Sequence, residues 1–416
     1  MREPKTALVI GGGVIGVCAA YYLARDGVTV TLVEKGDIAA GSSYGNAGLV
    51  VPSHSIPLAA PGVWWKGLRW MANPESPLYI KPRLDGELLR WLLRFRAACT
   101  ERHLHRAVPL LRDLGYESRA LYRELATVAG LDFGYRENGV LQVFRTEKGL
   151  AEGVHEAEVL TSAGIPVRPL DAAAARALEP ALAPSVIGGV LFADDAQLVP
   201  DAFVTGLAHV AEKLGVQVRR STEVIGLRMA GGRIVAVETT RGDLEADAIV
   251  LAAGSWSPDL VRPLGLRLPV QPAKGYSVTY RRPPAGPRIP LLLGEAKMAV
   301  TPMGDTLRFA GTLELAGLDL SINRRRVDAL VRSAHDYLAG VDPLERIEIW
   351  RGLRPCTPDG LPIVGRPAGL QNLLVATGHA MIGMSLGPVT GRLVAQIVSD
   401  ERPSIDVAAL SPDRFR

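Results

Sequence analysis

Residues Thr6 to Glu34 read TALVIGGGVIGVCAAYYLARDGVTVTLVE. The apolar run Ala7-Leu8-Val9-Ile10 has the character of a buried parallel strand. Gly11-x-Gly13-x-x-Gly16 follows at once, and Val14 to Arg25 continues as a helix. Cys18, Ala19 and Ala20 are small enough for that helix to lie close to a sheet. Gly27 ends it, Val28 to Val33 reads as a second strand, and Glu34 stands at that strand's carboxyl end. Each residue has a physical task in a dinucleotide site. Gly11 permits the tight strand-to-helix turn, Gly13 lets backbone approach a pyrophosphate, and Gly16 allows close helix–strand packing. The helix start at Val14 and Ile15 offers free amides and a partial positive charge to phosphate. Glu34, followed by Lys35, is placed to accept hydrogen bonds from a ribose. The pattern predicts a dinucleotide-binding βαβ unit.

Outward from this unit, length and composition set bounds. A chain of 416 residues exceeds the size at which one core keeps growing, so two domains are expected. Hydrophobic residues make up 48% and charged ones 22%, which suits a well-packed α/β enzyme. A net charge of +4 with scattered basic residues is no nucleic-acid signature. Cys18, Cys99 and Cys356 share no metal-like spacing, so no metal site and a reduced, cytoplasmic setting are expected. The first apolar run is already the strand rather than a leader, and no apolar segment is long enough to span a bilayer.

After Glu34 the small and polar run Lys35 to Gly48 includes Ser42, Ser43, Asn46 and Ala47. It leaves the strand end where a dinucleotide would lie, so its hydroxyls and amides can line phosphates and a ring system. Pro52 to Pro82 holds Trp64-Trp65-Lys66-Gly67-Leu68-Arg69-Trp70, which reads either as packing on the protein's own body or as a membrane-surface contact. Leu88 to Ala129 reads as helices. Glu223 to Met229 is a strand, and Arg233–Thr239 with Asp243–Ala246 is expected as a hairpin after Gly231-Gly232. Asp247 to Leu251 is a strand ending in the small residues Ala252-Ala253-Gly254, as where ligands collect in doubly wound folds. From Leu266 to Arg308 strands alternate with Pro and Gly, and Asn323 to Leu338 is an amphipathic helix. This block reads as a second domain, an antiparallel sheet with a helix. Near the C-terminus a strand, a glycine-rich turn and a helix recur over Asn372 to Val398.

The stretches GGGVIGVCAAYYLARDGVTVTLVEK, GSSYGNAG, AAGSWS, GLRPCTPDGLPIVG and TGHAMIGMSLGP occur in this order. Together they resemble the FAD-dependent amino-acid oxidoreductases of the D-amino acid oxidase superfamily, most nearly bacterial D-amino acid dehydrogenases. The resemblance implies an α/β fold in which a Rossmann-like FAD-binding domain (1–60, 185–262 and 350–416) is interleaved with a substrate domain built on an antiparallel sheet (61–184 and 263–349). It implies that Gly11, Gly13 and Gly16 face the FAD pyrophosphate and Glu34 the adenosine ribose. Ser42, Ser43, Asn46, Ala47 and Gly48 would approach phosphates and isoalloxazine, Val224 would meet adenine, and Ala253 and Gly254 would lie near the cofactor. Gly378, His379, Met381, Ile382, Gly383 and Met384 would run beside the flavin. Arg354 matches the arginine that grips the substrate carboxylate, for which a planar guanidinium is suited. Tyr276 matches a tyrosine that bonds the same carboxylate or closes the pocket, and His54 is a candidate pocket residue. Cys356 lies on the other side of the arginine motif from a flavin-bearing cysteine of sarcosine-oxidase relatives, so noncovalent FAD is expected.

The implied reaction moves a hydride from Cα of a D-amino acid to flavin N5, and water then releases a 2-oxo acid and ammonia. Hydroxy-D-proline or D-proline, giving a cyclic imine, and a glycine- or sarcosine-type amine are alternatives. The electron acceptor is a quinone, a redox partner protein or oxygen, and peripheral contact with the inner face of the cell membrane stays open.

Overall fold

The computed structural model describes residues 5–70, 76, 78–341 and 343–416. Thr6–Ile10 pairs in parallel with Thr29–Val33 on one side and Ala248–Leu251 on the other, as the opening motif requires. Leu373–Thr377 and Gln217–Arg219 extend the parallel sheet, and Ile363–Gly365 adds an antiparallel edge. Gly11 has φ +114°, and a Cβ there would lie 2.5 Å from the Ala252 carbonyl oxygen. The turn thus needs glycine both for its torsion and for its close approach to the next strand.

Helix Val14–Arg25 lies on one face of this sheet and packs against the last helix, Gly383–Val398. Gly387 and Gly391 bring the two together: a Cβ on Gly391 would lie 2.5 Å from the Cys18 carbonyl carbon, and one on Gly387 2.7 Å from Val14 Cγ2. Helix Glu101–Leu125 joins the same core, and its Tyr122 hydroxyl donates to the Met384 carbonyl.

The second sheet runs in the order Arg346–Cys356, Gln271–Arg281, Thr306–Leu315, Met298–Met303, Leu291–Leu293, Val140–Phe144, Gly188–Phe192, Arg168–Asp171. Its pairings are antiparallel except where Leu291–Leu293 meets Val140–Phe144 and where Leu78–Ile80 joins Thr306–Leu315. Gly188–Phe192, read from the sequence with the dinucleotide-binding part, hydrogen-bonds within this sheet. Helix Arg324–His335 covers one face through Val327, Leu330 and Ala334. The expected hairpin after Gly231-Gly232 is corrected. Val224–Ala230 and Arg233–Thr239 are the partners, joined by that dipeptide at φ +58° and +74°, the left-handed torsions a tight hairpin turn demands. Asp243–Ala246 contributes only a bridge, Val237 to Leu244.

The segment that follows Gly48 is tied to the second sheet by one buried acid. Asp195 accepts from the Ser53 amide (3.1 Å) and from the Ser53 hydroxyl, and is itself fully buried. Burial pushes its carboxyl up to about 7, against the pull of those two hydrogen bonds. A carboxyl that titrates higher in the fold than in the unfolded chain keeps its proton longer when folded. Its contribution to stability is therefore full below about pH 4 and is lost as the pH rises through about 7. Asp195→Asn removes this dependence. In denaturant unfolding its stability relative to wild type should rise between pH 5 and pH 8; a difference that is the same at both pH values would contradict the assignment.

Candidate active site

A single cavity of about 1110 Å³ runs from the opening motif to the second sheet. At one end it is lined by Gly11, Gly13, Val14, Ile15, Glu34 and Lys35, with Ser42, Ser43, Asn46, Ala47, Val224, Ala253 and Gly254 beside them. His379, Met381, Ile382, Gly383 and Met384 line its middle, and Arg354, Tyr276 and His54 reach its wall from other elements. Gly16, Gly48 and Gly378 do not line it; they act through packing. A Cβ on Gly16 would collide with the Gly11 carbonyl, one on Gly48 with the Leu198 carbonyl, and one on Gly378 would lie 2.6 Å from Thr357 Cγ2.

The nucleotide end is built from backbone. Glu34 accepts from the Gly12 amide (2.7 Å) and the Gly36 amide (2.9 Å), so its carboxylate braces the glycine turn at the end of its strand. Ser43 Oγ accepts from the Val14 amide at 2.9 Å and ties the following loop to the helix start. The Ser42 hydroxyl donates to the Leu353 carbonyl, and Asn46 Oδ1 accepts from the Gly48 amide at 2.9 Å. Arg308, buried and absent from the sequence expectations, donates to the Tyr44 and Asn46 carbonyls at 2.9 and 3.0 Å. It fixes this loop to the second sheet. Trp350 packs flat where a Cβ on Gly45 would collide with it. The Lys35 ammonium sits 3.7 Å from the Trp256 ring centroid.

Two helix N-termini, at Gly13–Ile15 and Ile382–Met384, open on the cavity, and neither helix carries an acidic residue in its first turn. Their positive ends are left for a ligand's electron-rich groups. This arrangement fits a dinucleotide with a flat ring. The glycine turn meets the Ala252 backbone too closely for any side chain, and the small-residue loop is fixed from three directions. A cavity of about 1110 Å³ has the volume for a dinucleotide cofactor.

Beyond the middle, Arg354 stands on Arg346–Cys356 opposite Ala273. Its guanidinium lies over Gly275, where a Cβ would collide with it, and Nη1 donates to the Thr312 carbonyl at 2.6 Å. Among the described residues no carboxylate pairs with it, and burial lowers its pKa. Arginine still holds its charge under such conditions. A half-buried cation with no acid partner at a cavity wall is suited to receive an anion. Tyr276 is fully buried, and its hydroxyl is turned elsewhere. It donates to Glu314 Oε2 at 3.0 Å and accepts from the Asn323 amide at 3.3 Å. It belongs with Val278 and Tyr280 to the face packed on helix Arg324–His335. The structure therefore brings Arg354 to the cavity and engages the Tyr276 hydroxyl behind the sheet.

His54 reaches the wall with Nδ1 buried and unpartnered; burial, and then the nearby Lys297, hold its pKa down to about 4. His379 is bound through Nε2 to the Thr390 hydroxyl at 2.9 Å, and burial holds it down to about 3. Both are neutral at neutral pH. Cys356 lies in an apolar cluster with Ala59, Leu88, Trp91 and Phe95, and burial pushes its thiol up to about 12.

Residues 6–397 match the family model described as FAD dependent oxidoreductase (DAO). D-amino acid dehydrogenase of Methylobacterium radiotolerans is 41% identical over 416 residues, covering 98% of this chain and 99% of that one. The protein of the same name from Agrobacterium fabrum is 37% identical over 414 residues, covering 98% and 99%. Among solved structures, glycine oxidase from Geobacillus kaustophilus superposes with a TM-score of 0.80 at 26% identity, covering 98% of both chains. L-proline dehydrogenase from P. horikoshii gives 0.79 at 19% identity, covering 100% and 98%, and shares the fold. With the glycine turn, the two open helix ends and the family match spanning nearly the whole chain, this protein belongs to the DAO family of FAD-dependent oxidoreductases.

Proposed function

We propose that this chain oxidises D-amino acids to imino acids, which water converts to 2-oxo acids and ammonia. The observation that carries this reading is the Arg354 guanidinium, half-buried at the cavity wall with no acid partner among the described residues. Relatives at 37–41% identity over nearly the whole chain bear the name D-amino acid dehydrogenase. Bound FAD supplies the acceptor for the hydride. Arg354 holds the substrate carboxylate through paired charge-assisted hydrogen bonds and so fixes where Cα–H points. His54, with a pKa near 4, is too weak a base to strip an ammonium group. The substrate amine enters neutral. The nitrogen lone pair then drives departure of the hydride, and the largely apolar walls limit water at the reacting carbon.

FAD is held without a covalent bond: Cys356 is turned into its apolar cluster and is not a cavity residue. The cavity's far end, with Leu58, Trp64, Ile80, Trp91, Leu92 and Phe95, suits an apolar acceptor such as a quinone better than a charged protein. Leu89 and Leu93 stand 59% and 56% exposed on helix Gly86–Ala98 and Trp65 64% on Val63–Trp70, beside Arg90 and Arg94. This surface supports peripheral contact with the inner face of the cell membrane. The side chains of Leu68, Arg69 and Trp70 and residues 71–75 and 77 of that segment lie outside the described residues. No helix among the described residues is long and apolar enough to cross a membrane.

Mixed anaerobically with the FAD-loaded protein, D-amino acids or D-prolines should bleach the flavin absorbance and L-enantiomers should leave it intact. Bleaching by L-enantiomers alone would refute the reading. In the same assay Arg354→Ala removes an interaction of about 1.5–3 kcal/mol. Substrate capture should weaken about ten- to a few-hundredfold, with partial recovery in Arg354→Lys and little change in FAD content. Near-normal saturation by Arg354→Ala would assign the carboxylate to another group.

A further inference from the structure

Strand Thr306–Leu315 breaks its pairing opposite Gly275. Lys274 pairs with Glu314 and Tyr276 with Gly311, so Thr312 and Leu313 stand against one residue. Such a bulge re-aims what it carries. Thr312 sits there at φ +64°, the left-handed region that a β-branched residue rarely enters. Strain of this kind persists only where the surroundings hold it in place. Here the restraint lies behind the sheet. Glu314, the next paired residue, is buried and accepts from the Tyr276 hydroxyl, with Lys274 Nζ 3.4 Å and Arg326 Nε 3.7 Å away. Lys274, also fully buried, is further held by Asp319 and the Ser321 carbonyl.

The strained torsion acts at the cavity. It directs the Thr312 carbonyl to Arg354 Nη1 at 2.6 Å, so one N–H of the guanidinium is taken by protein and the others stay for a ligand. Thr312 also lines the cavity together with Arg354, and its hydroxyl is buried with no hydrogen-bond partner. A buried hydroxyl without a partner is costly unless something completes it. The second polar contact to the substrate carboxylate, expected from Tyr276, is not free to come from that residue, whose hydroxyl is bound to Glu314.

Resting on the reading of Arg354 as the carboxylate site, we propose that Thr312 completes it: its carbonyl orients the guanidinium, and its hydroxyl donates to the carboxylate of the amino acid. Rotation about χ1 to another staggered well presents the hydroxyl, which no hydrogen bond holds in its present place. The residue thereby favours ligands with an α-carboxylate over simple amines.

The test titrates the FAD-loaded protein with a short aliphatic carboxylate lacking an amine, following the flavin absorbance shift. Anaerobic reduction by the D-amino acid then separates affinity from limiting rate. Thr312→Val keeps the branched shape and removes the hydroxyl. It should weaken both ligands about ten- to a hundredfold, the range of a hydrogen bond to a charged group. The limiting rate should fall far less than in Arg354→Ala, and Thr312→Ser should restore binding. Thr312→Ala removes the hydroxyl with less strain and serves if the valine variant does not fold. Wild-type affinity for the carboxylate in these hydroxyl-free variants would overturn the proposal. If Arg354→Ala also binds the carboxylate normally, the reading of the site itself falls; if only the Thr312 variants do, it stands without Thr312.

Discussion

The close approach between the first helix and the last is the constraint on which the site depends. Gly387 and Gly391 bear no side chain, so the last helix lies against the backbone of the first at Cys18. Residues nearly the whole chain apart thereby present two helix N-termini to one cavity. A side chain at Gly391 would push the helices apart and carry one positive end away from the ligand. The sheet beneath responds to the same need for proximity: Gly11, at φ +114°, meets Ala252 so closely that only hydrogen fits.

The second sheet manages charge. Its cavity face carries the Arg354 guanidinium over Gly275, with the Thr312 carbonyl as its hydrogen-bond acceptor. Its reverse face carries Lys274 and Glu314, and the covering helix adds Arg326; their opposite charges satisfy one another out of water. Removing one member of such a cluster leaves the others buried and unpaired, which costs far more than the pair itself contributes. The reverse cluster holds the bulge, and the bulge holds the arginine. The free charge stays at the cavity wall.

Much of this was legible in the sequence because it is local. The glycine turn, Glu34 and the strand ending in Ala252-Ala253-Gly254 each announce a backbone geometry within a few residues, and Arg354 stands in a short motif. Tyr276 shows where local reading ends. Which face of a strand a side chain takes depends on register, and Tyr276 falls on the face opposite Gly275 and Arg354. Thr312 gave no signal, since nothing in a threonine after a glycine announces a left-handed torsion; pairing across the sheet imposes it. Arg308 and Asp195 look like surface charges in sequence. Their burial is set by loops that arrive from 264 and 142 positions away. The hairpin at Gly231-Gly232 was mispaired for a simpler reason, because a two-glycine turn serves the strand before it as well as the strand after.

The most direct measurement is the anaerobic rate of flavin bleaching at saturating substrate, with a D-amino acid carrying deuterium in place of hydrogen at Cα. If Arg354 orients the carboxylate so that the Cα–H bond breaks in the step that reduces the flavin, the deuterated substrate bleaches it several-fold more slowly. Equal rates for the two isotopologues would contradict that mechanism.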